Sequence, residues 1–364
     1  MRDSVIIRES SRQDWLVEAG NSKRESKSIS EPMEFVIQRI VERLFEEFKP
    51  LPASRVQIDS PINATFYVDS TFIRSHGHVW PMEVERITDV VSKSLSSQFG
   101  RSLVQSQIIT SYSSDNGAPH LRQSLDALKR LSGPSDTLNI LLMEQRTPFD
   151  YYSGKNSDEL GITDFGGSRI AIDCIPSPSL NQNFWFPYAN GLALLHEIGH
   201  AFGAIHVFDR ESIMCHHLHW TGTDSIDSLN VRIMREIMSG RVDATKPVEY
   251  VGLVSRALRD SRYPYADFPD FFWRYLSGTR TSVELDSLAR AIDCEPYIIS
   301  ADAMKLLQAG DRAGAVRRWK QALELEPDQP VLLYYLALSS SGLDSSNAMT
   351  RAVKLGLYPL SLPH

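Results

Sequence analysis

The stretch Leu194-Leu195-His196-Glu197-Ile198-Gly199-His200-Ala201-Phe202-Gly203-Ala204-Ile205-His206 constrains the fold more than any other segment of the chain. Leu192, Leu194, Leu195, Ile198, Ala201 and Phe202 predict an apolar helix over residues 189–202, enclosed by core. Histidines and a glutamate on such a helix need strong partners, because a buried polar group without one is costly. His196 and His200 stand four positions apart, so both imidazoles leave one helix face and can share a metal ion. Glu197 follows His196 directly, which sets its carboxylate beside a water held by the metal rather than on the metal. Gly203 lets the chain leave the helix through a conformation costly for other residues, and that turn can return His206 as a third ligand. Three neutral imidazoles leave a tetrahedral Zn²⁺ one open position, the arrangement of a catalytic site. H-E-x-x-H alone is a weak pattern. Gly203 and His206 at fixed offsets make it specific.

These residues spell H-E-x-x-H-x-x-G-x-x-H, and in this the chain resembles the metzincin clan of zinc endopeptidases, in which a Met-containing turn follows. Ser212-Ile213-Met214 is similar to that turn, and the resemblance makes Met214 the apolar floor beneath the metal. Residues 64–241 are similar to the clan's catalytic unit, whose edge strand binds extended substrate antiparallel; residues 166–171 are the candidate strand. The activity this implies is peptide-bond hydrolysis, with His196, His200 and His206 on Zn²⁺ and Glu197 as the base.

The chain departs from the clan's better-known families in three places. Seven residues separate His206 from Met214, which implies a small lower subdomain, and Val207 follows the third histidine. In astacin-like and serralysin-like enzymes a tyrosine stands two residues after the turn methionine; here that place holds His216. The expectation is that His216 lines the cleft and donates to the developing oxyanion, while His217 and His219 stay off the metal. Clustered surface histidines are the other reading of the same residues.

At 364 residues the chain is too long for one ordinary domain. Its 38 Lys+Arg against 45 Asp+Glu give a formal charge of −7, which argues against a chain-wide nucleic-acid footprint. No apolar run approaches the roughly 18 residues of a membrane helix, and the N-terminal residues lack a secretory-signal pattern. Cys174, Cys215 and Cys294 are sparse and widely spaced, as in a reduced compartment. A soluble, cytoplasmic protein with no nucleic-acid or membrane partner is expected, with signal-independent secretion left open. Cys174 and Cys215 read as isolated buried thiols, and His76 and His78 as exposed loop histidines near a strand end.

Strand and helix patterns alternate over residues 64–202, with strands at 65–68, 71–73, 106–110, 138–143 and 168–174. The fold class expected is α+β, a mixed α/β zincin catalytic domain, followed by an all-α helical repeat region. The boundaries read as 1–62, an N-terminal extension with an amphipathic helix at 33–48; 63–241, catalytic; 242–297, a helical connector; and 298–364, repeats. In the connector Tyr263, Tyr265, Phe268, Phe271, Phe272, Trp273 and Tyr275 read as a small core joining its neighbours. Ala315, Trp319, Ala322 and Pro327 resemble a tetratricopeptide repeat, and a shift of 34 residues lands on Met349, Val353 and Gly356. That resemblance implies a face for a protein partner. The leading reading is a zinc endopeptidase acting on protein or peptide substrates. The alternatives are a weakly catalytic scaffold working through its repeats, and a zinc amidohydrolase on a non-peptide substrate.

Overall fold

Apolar residues over 62–69 and 138–143 pair as neighbouring parallel strands inside a six-stranded sheet. The computed structural model describes residues 3–6, 60–112, 121–132, 137–144, 159–175, 185–215, 224–244, 247–261, 263–276 and 295–357. The strands are β1 (Asp3–Ile6), β2 (Ile62–Asp69), β3 (Leu103–Tyr112), β4 (Leu138–Met143), β5 (Glu159–Thr163) and β6 (Arg169–Asp173). Their spatial order is β1-β5-β6-β4-β2-β3. The four strands β3, β2, β4 and β6 run parallel; β5 is antiparallel to β6, and β1 to β5.

Helices cover both faces of this sheet: α1 (Ser70–His76), α2 (Trp80–Phe99), α3 (Leu121–Leu131) and α4 (Trp185–Ala201). Phe66, Val68, Ile140, Leu142, Ile170 and Ile172 share a core with Val84, Ile87 and Leu95 of α2 and with Leu194 and Ile198 of α4. The alternate residues Tyr67, Leu141, Met143 and Ala171 pack with Leu121, Leu125 and Leu128 of α3. Successive strand residues point to opposite faces, so a strand covered on both sides must be apolar throughout. β4 is the clearest case: all six residues are buried and all but Asn139 are apolar, and the Asn139 side-chain amide donates to the Thr137 carbonyl.

Two local expectations are corrected. Residues 71–73 belong to α1, not to a strand, because the Asp69 carboxylate accepts the Thr71 amide at 2.7 Å and starts a helix there. Residues 166–171 do not form a sheet edge. Within β6, Ala171 pairs with Leu141 on one side and Ile162 on the other, so both flanks are filled. The antiparallel strand is β5, and β1 lies along its outer side with Asp3 opposite Thr163 and Ser4 opposite Ile162. β5 escapes a sequence reading because Leu160 and Ile162 are a short alternation around Gly161. His76 is also not exposed; it is buried and stacked on Phe72, while His78 is exposed. The helix expected at 33–48 and Cys294 lie outside the described residues.

Beyond the sheet the chain is helical: α5 (Ser228–Met238), α6 (Pro247–Ser261), α7 (Phe268–Leu276), α8 (Glu295–Gln308), α9 (Arg312–Leu325), α10 (Pro330–Ser339) and α11 (Gly342–Lys354). One core runs from Ile205 and Phe208 through Tyr250, Phe268 and Phe272 to Trp319 and Tyr335. Phe268, Phe271 and Phe272 of the connector are buried in it, and Tyr263, Tyr265 and Trp273 pack against it. Ala315, Trp319 and Ala322 line the buried face of α9. The shifted position Val353 is 43% exposed, since α11 turns most of its surface to solvent. Among the described residues no helix is long and apolar enough to cross a membrane.

Candidate metal centre

α4 carries His196, Glu197 and His200, which are 0%, 0% and 1% exposed. At its end Gly203 adopts φ +78°, and its amide donates to the His200 carbonyl at 3.0 Å. A side chain there would be strained by the backbone and would run into Ile237 and the Tyr250 ring. The Tyr250 hydroxyl donates to the Gly203 carbonyl. The chain then doubles back and brings His206 to the two helix histidines.

The three Nε2 atoms lie 3.0 Å (His196–His200), 3.1 Å (His200–His206) and 3.2 Å (His196–His206) apart. Nitrogens at two corners of a tetrahedral Zn²⁺ with bonds of about 2.0–2.1 Å are separated by about 3.3 Å. The donor set fits that ion. His196 Nδ1 lies 2.7 Å from the Ile213 carbonyl, and His200 Nδ1 lies 2.9 Å from the Ala204 carbonyl. A carbonyl only accepts, so both Nδ1 atoms carry the proton and both Nε2 lone pairs face the shared point. Among the described residues this trio is the group of ligating side chains close enough together to hold a metal.

His206 lies outside the helix, and side chains around it set its place. Asn230, fully buried on α5, accepts the Ile205 amide at 2.8 Å and donates to the Ile205 carbonyl at 2.9 Å. It also donates to Asp227 Oδ2 at 2.8 Å, and the same oxygen accepts the Ser212 hydroxyl at 2.7 Å. Ser212 Oγ in turn accepts the Met214 amide at 3.1 Å, and the Val207 amide donates to the Met214 carbonyl at 3.0 Å. One carboxylate thus joins the His206 segment to the methionine turn. Burial raises the Asp227 pKa, while hydrogen bonds from Asn230 and Ser212 oppose the rise. The spacing Asp-x-x-Asn reads in sequence as a helix start, and Asp227 does cap α5. Its tie to His206 has no sequence signature.

Met214 is fully buried against α4. A Cβ at Gly199 would lie 2.5 Å from Met214 Sδ, so the helix turn between the two ligands is bare where the sulfur packs. Glu197 packs under β5. Its carboxylate and its backbone carbonyl both accept the hydroxyl of Thr163, which is itself fully buried. A Cβ at Gly161 would come within 2.6 Å of Glu197 Cγ. Sequence reasoning missed both β5 residues; the available hint was a glycine inside a short strand, which often marks close approach by another group. His216, His217 and His219 lie outside the described residues. Cys174 and Cys215 are buried and neither is in a disulfide, and burial pushes the Cys174 pKa well up.

No protein-family model matches the chain, and no curated protein sequence does. Among solved structures it is similar to archaemetzincin from Methanopyrus kandleri, at 18% identity and a TM-score of 0.36, over 51% of this chain and 99% of that one. It is also similar to metalloproteinase-II from Bacteroides fragilis, at 16% identity and a TM-score of 0.36, over 54% of this chain and 60% of that one.

Proposed function

We propose that the protein is a zinc-dependent endopeptidase, with His196, His200 and His206 as ligands and Glu197 as the general base. The observation that carries this reading is the convergence of three buried imidazole Nε2 atoms within 3.2 Å of one another, two of them from the helix that also presents Glu197 and the third from His206 beyond its end. Zn²⁺, when bound, supplies Lewis acidity that lowers the pKa of a water to about 7 and polarises a carbonyl.

The chain's own groups supply the remainder. Ile213 and Ala204 hold two imidazoles in the tautomer that leaves Nε2 free to ligate. Glu197 takes a proton from the attacking water and passes it to the leaving amine. Thr163 holds that carboxylate in one place through both transfers. Met214 closes the apolar floor against Gly199. His216, two residues further on, is the proposed donor to the oxyanion.

Metal analysis together with turnover of quenched peptides tests the reading. Purified protein is expected to hold one zinc and to cleave internal peptide bonds, and Glu197→Gln to keep the metal and lose hydrolysis. Undiminished turnover in the Gln variant would remove Glu197 from the mechanism. Turnover of small non-peptide amides in place of peptides would instead make the protein an amidohydrolase.

A further inference from the structure

His206 is the candidate ligand that α4 does not supply, so its position depends on what grips its backbone from outside. Its carbonyl accepts the amide of Asp267 at 2.9 Å. Asp267 is 1% exposed and stands just before α7. Its two carboxylate oxygens accept the Tyr335 hydroxyl at 2.9 and 3.1 Å. Tyr335 belongs to α10, 68 residues further along the chain. Its ring stacks on Trp319 at a centroid distance of 5.3 Å and meets Phe208, two residues past His206, edge-on at 6.4 Å.

We infer that the C-terminal helices hold the third metal ligand in place, with Tyr335 and Asp267 as positioning residues. The inference rests on the metal-site reading given above and assigns these helices a role beyond partner binding. Physically, a ligand on a loop must be ordered when metal binds, and each degree of freedom removed beforehand strengthens binding. A loop residue tied to a neighbouring loop would gain little. Here the tie ends on a buried helix, so the carbonyl of His206 is referred to a rigid body. Burial and the adjacent Asp267 charge keep the Tyr335 hydroxyl protonated and therefore a donor.

The test uses the full chain. Tyr335→Phe removes one hydroxyl and keeps the ring; Asp267→Ala removes its acceptor; Asp267→Asn keeps one. Asp302→Ala breaks the 2.6 Å ion pair with Arg318 in the same helices and serves as the control for general destabilisation. Tyr335→Phe and Asp267→Ala should raise the zinc dissociation constant roughly 10- to 100-fold, as loss of outer-shell support does elsewhere. Asp267→Asn should stay near wild type, and Asp302→Ala should lower the melting temperature without changing zinc affinity. Hydrogen exchange at the Asp267 amide reads the link without metal and should quicken in Tyr335→Phe. Equal zinc affinity in Tyr335→Phe and wild type, or an unchanged Asp267 amide, would overturn the inference. No zinc bound by the wild type, together with a quickened Asp267 amide in Tyr335→Phe, would support the mechanical link while removing the metal-site reading.

Discussion

The hydroxyl of Thr163 donates to both the side-chain carboxylate and the backbone carbonyl of Glu197, so β5 fixes the carboxylate that follows the first candidate ligand. Thr163→Val keeps the shape and removes the donor. A hydrogen bond to a charged group contributes about 1.5–3 kcal/mol, so kcat should fall roughly 10- to 100-fold with little change in KM. Thr163→Ser should restore most of it. Steady-state kinetics on a quenched peptide checks this, and a loss in the Ser variant with the Val variant near wild type would mean that the methyl, not the hydroxyl, matters.

Gly199→Ala should destabilise the fold by about 1–3 kcal/mol, the usual penalty for overpacking, because the new methyl would meet Met214 Sδ at 2.5 Å. Shortening the partner relieves the clash. Combined with Met214→Ala, the Gly199→Ala penalty should shrink, and urea unfolding of the four proteins in the cycle measures that coupling. Additive losses would show that the methionine does not press on the helix.

Asn230→Ala leaves the Ile205 amide and carbonyl without their side-chain partner in a buried place. The expected loss is about 1–3 kcal/mol for each group left unsatisfied. Asn230→Asp keeps an acceptor but sets a carboxylate against the Ile205 carbonyl, so it should rescue little. Thermal melts of both variants, with and without added zinc, test this.

Burial raises the Glu144 pKa to about 7, with the Ser75 hydroxyl opposing and the Asp173 charge adding to the rise. The folded protein therefore keeps a proton that the unfolded chain releases from about pH 4.5 upward. This group's contribution is full below that pH and is lost as pH rises to about 7. His76 Nδ1, 3.5 Å from Glu144 Oε2, has a pKa lowered by burial and so acts in the opposite sense. Glu144→Gln should gain stability relative to wild type as pH rises from 5 to 8. A difference in melting temperature that stays constant over that range would rule out Glu144 as the source.

β1 covers the outer edge of β5, whose far end carries Thr163. Deleting residues 3–6 frees backbone donors and acceptors along that edge, which is a template for an extended peptide. KM for peptide substrates should fall in the deletion variant while zinc content stays the same. An unchanged KM would mean that substrates do not use this edge.

The pattern from His196 to His206 was legible from the sequence because its parts are local. Helical spacing sets two imidazoles on one face, and a glycine with positive φ returns the third within six residues of the second. The same is true of β4, where the apolar run over 138–143 marks the strand. What only the tertiary structure decided is what grips those residues. Thr163 reaches Glu197 across 34 positions, Asn230 reaches Ile205 across 25, and Tyr335 reaches Asp267 across 68. Even the edge of the sheet was settled this way, since β5 and β1 lie outside β6 and leave residues 169–171 in its interior. A hydrogen bond between distant segments leaves no period and no spacing in the chain; it follows from which surfaces pack, and that is set by the whole core at once.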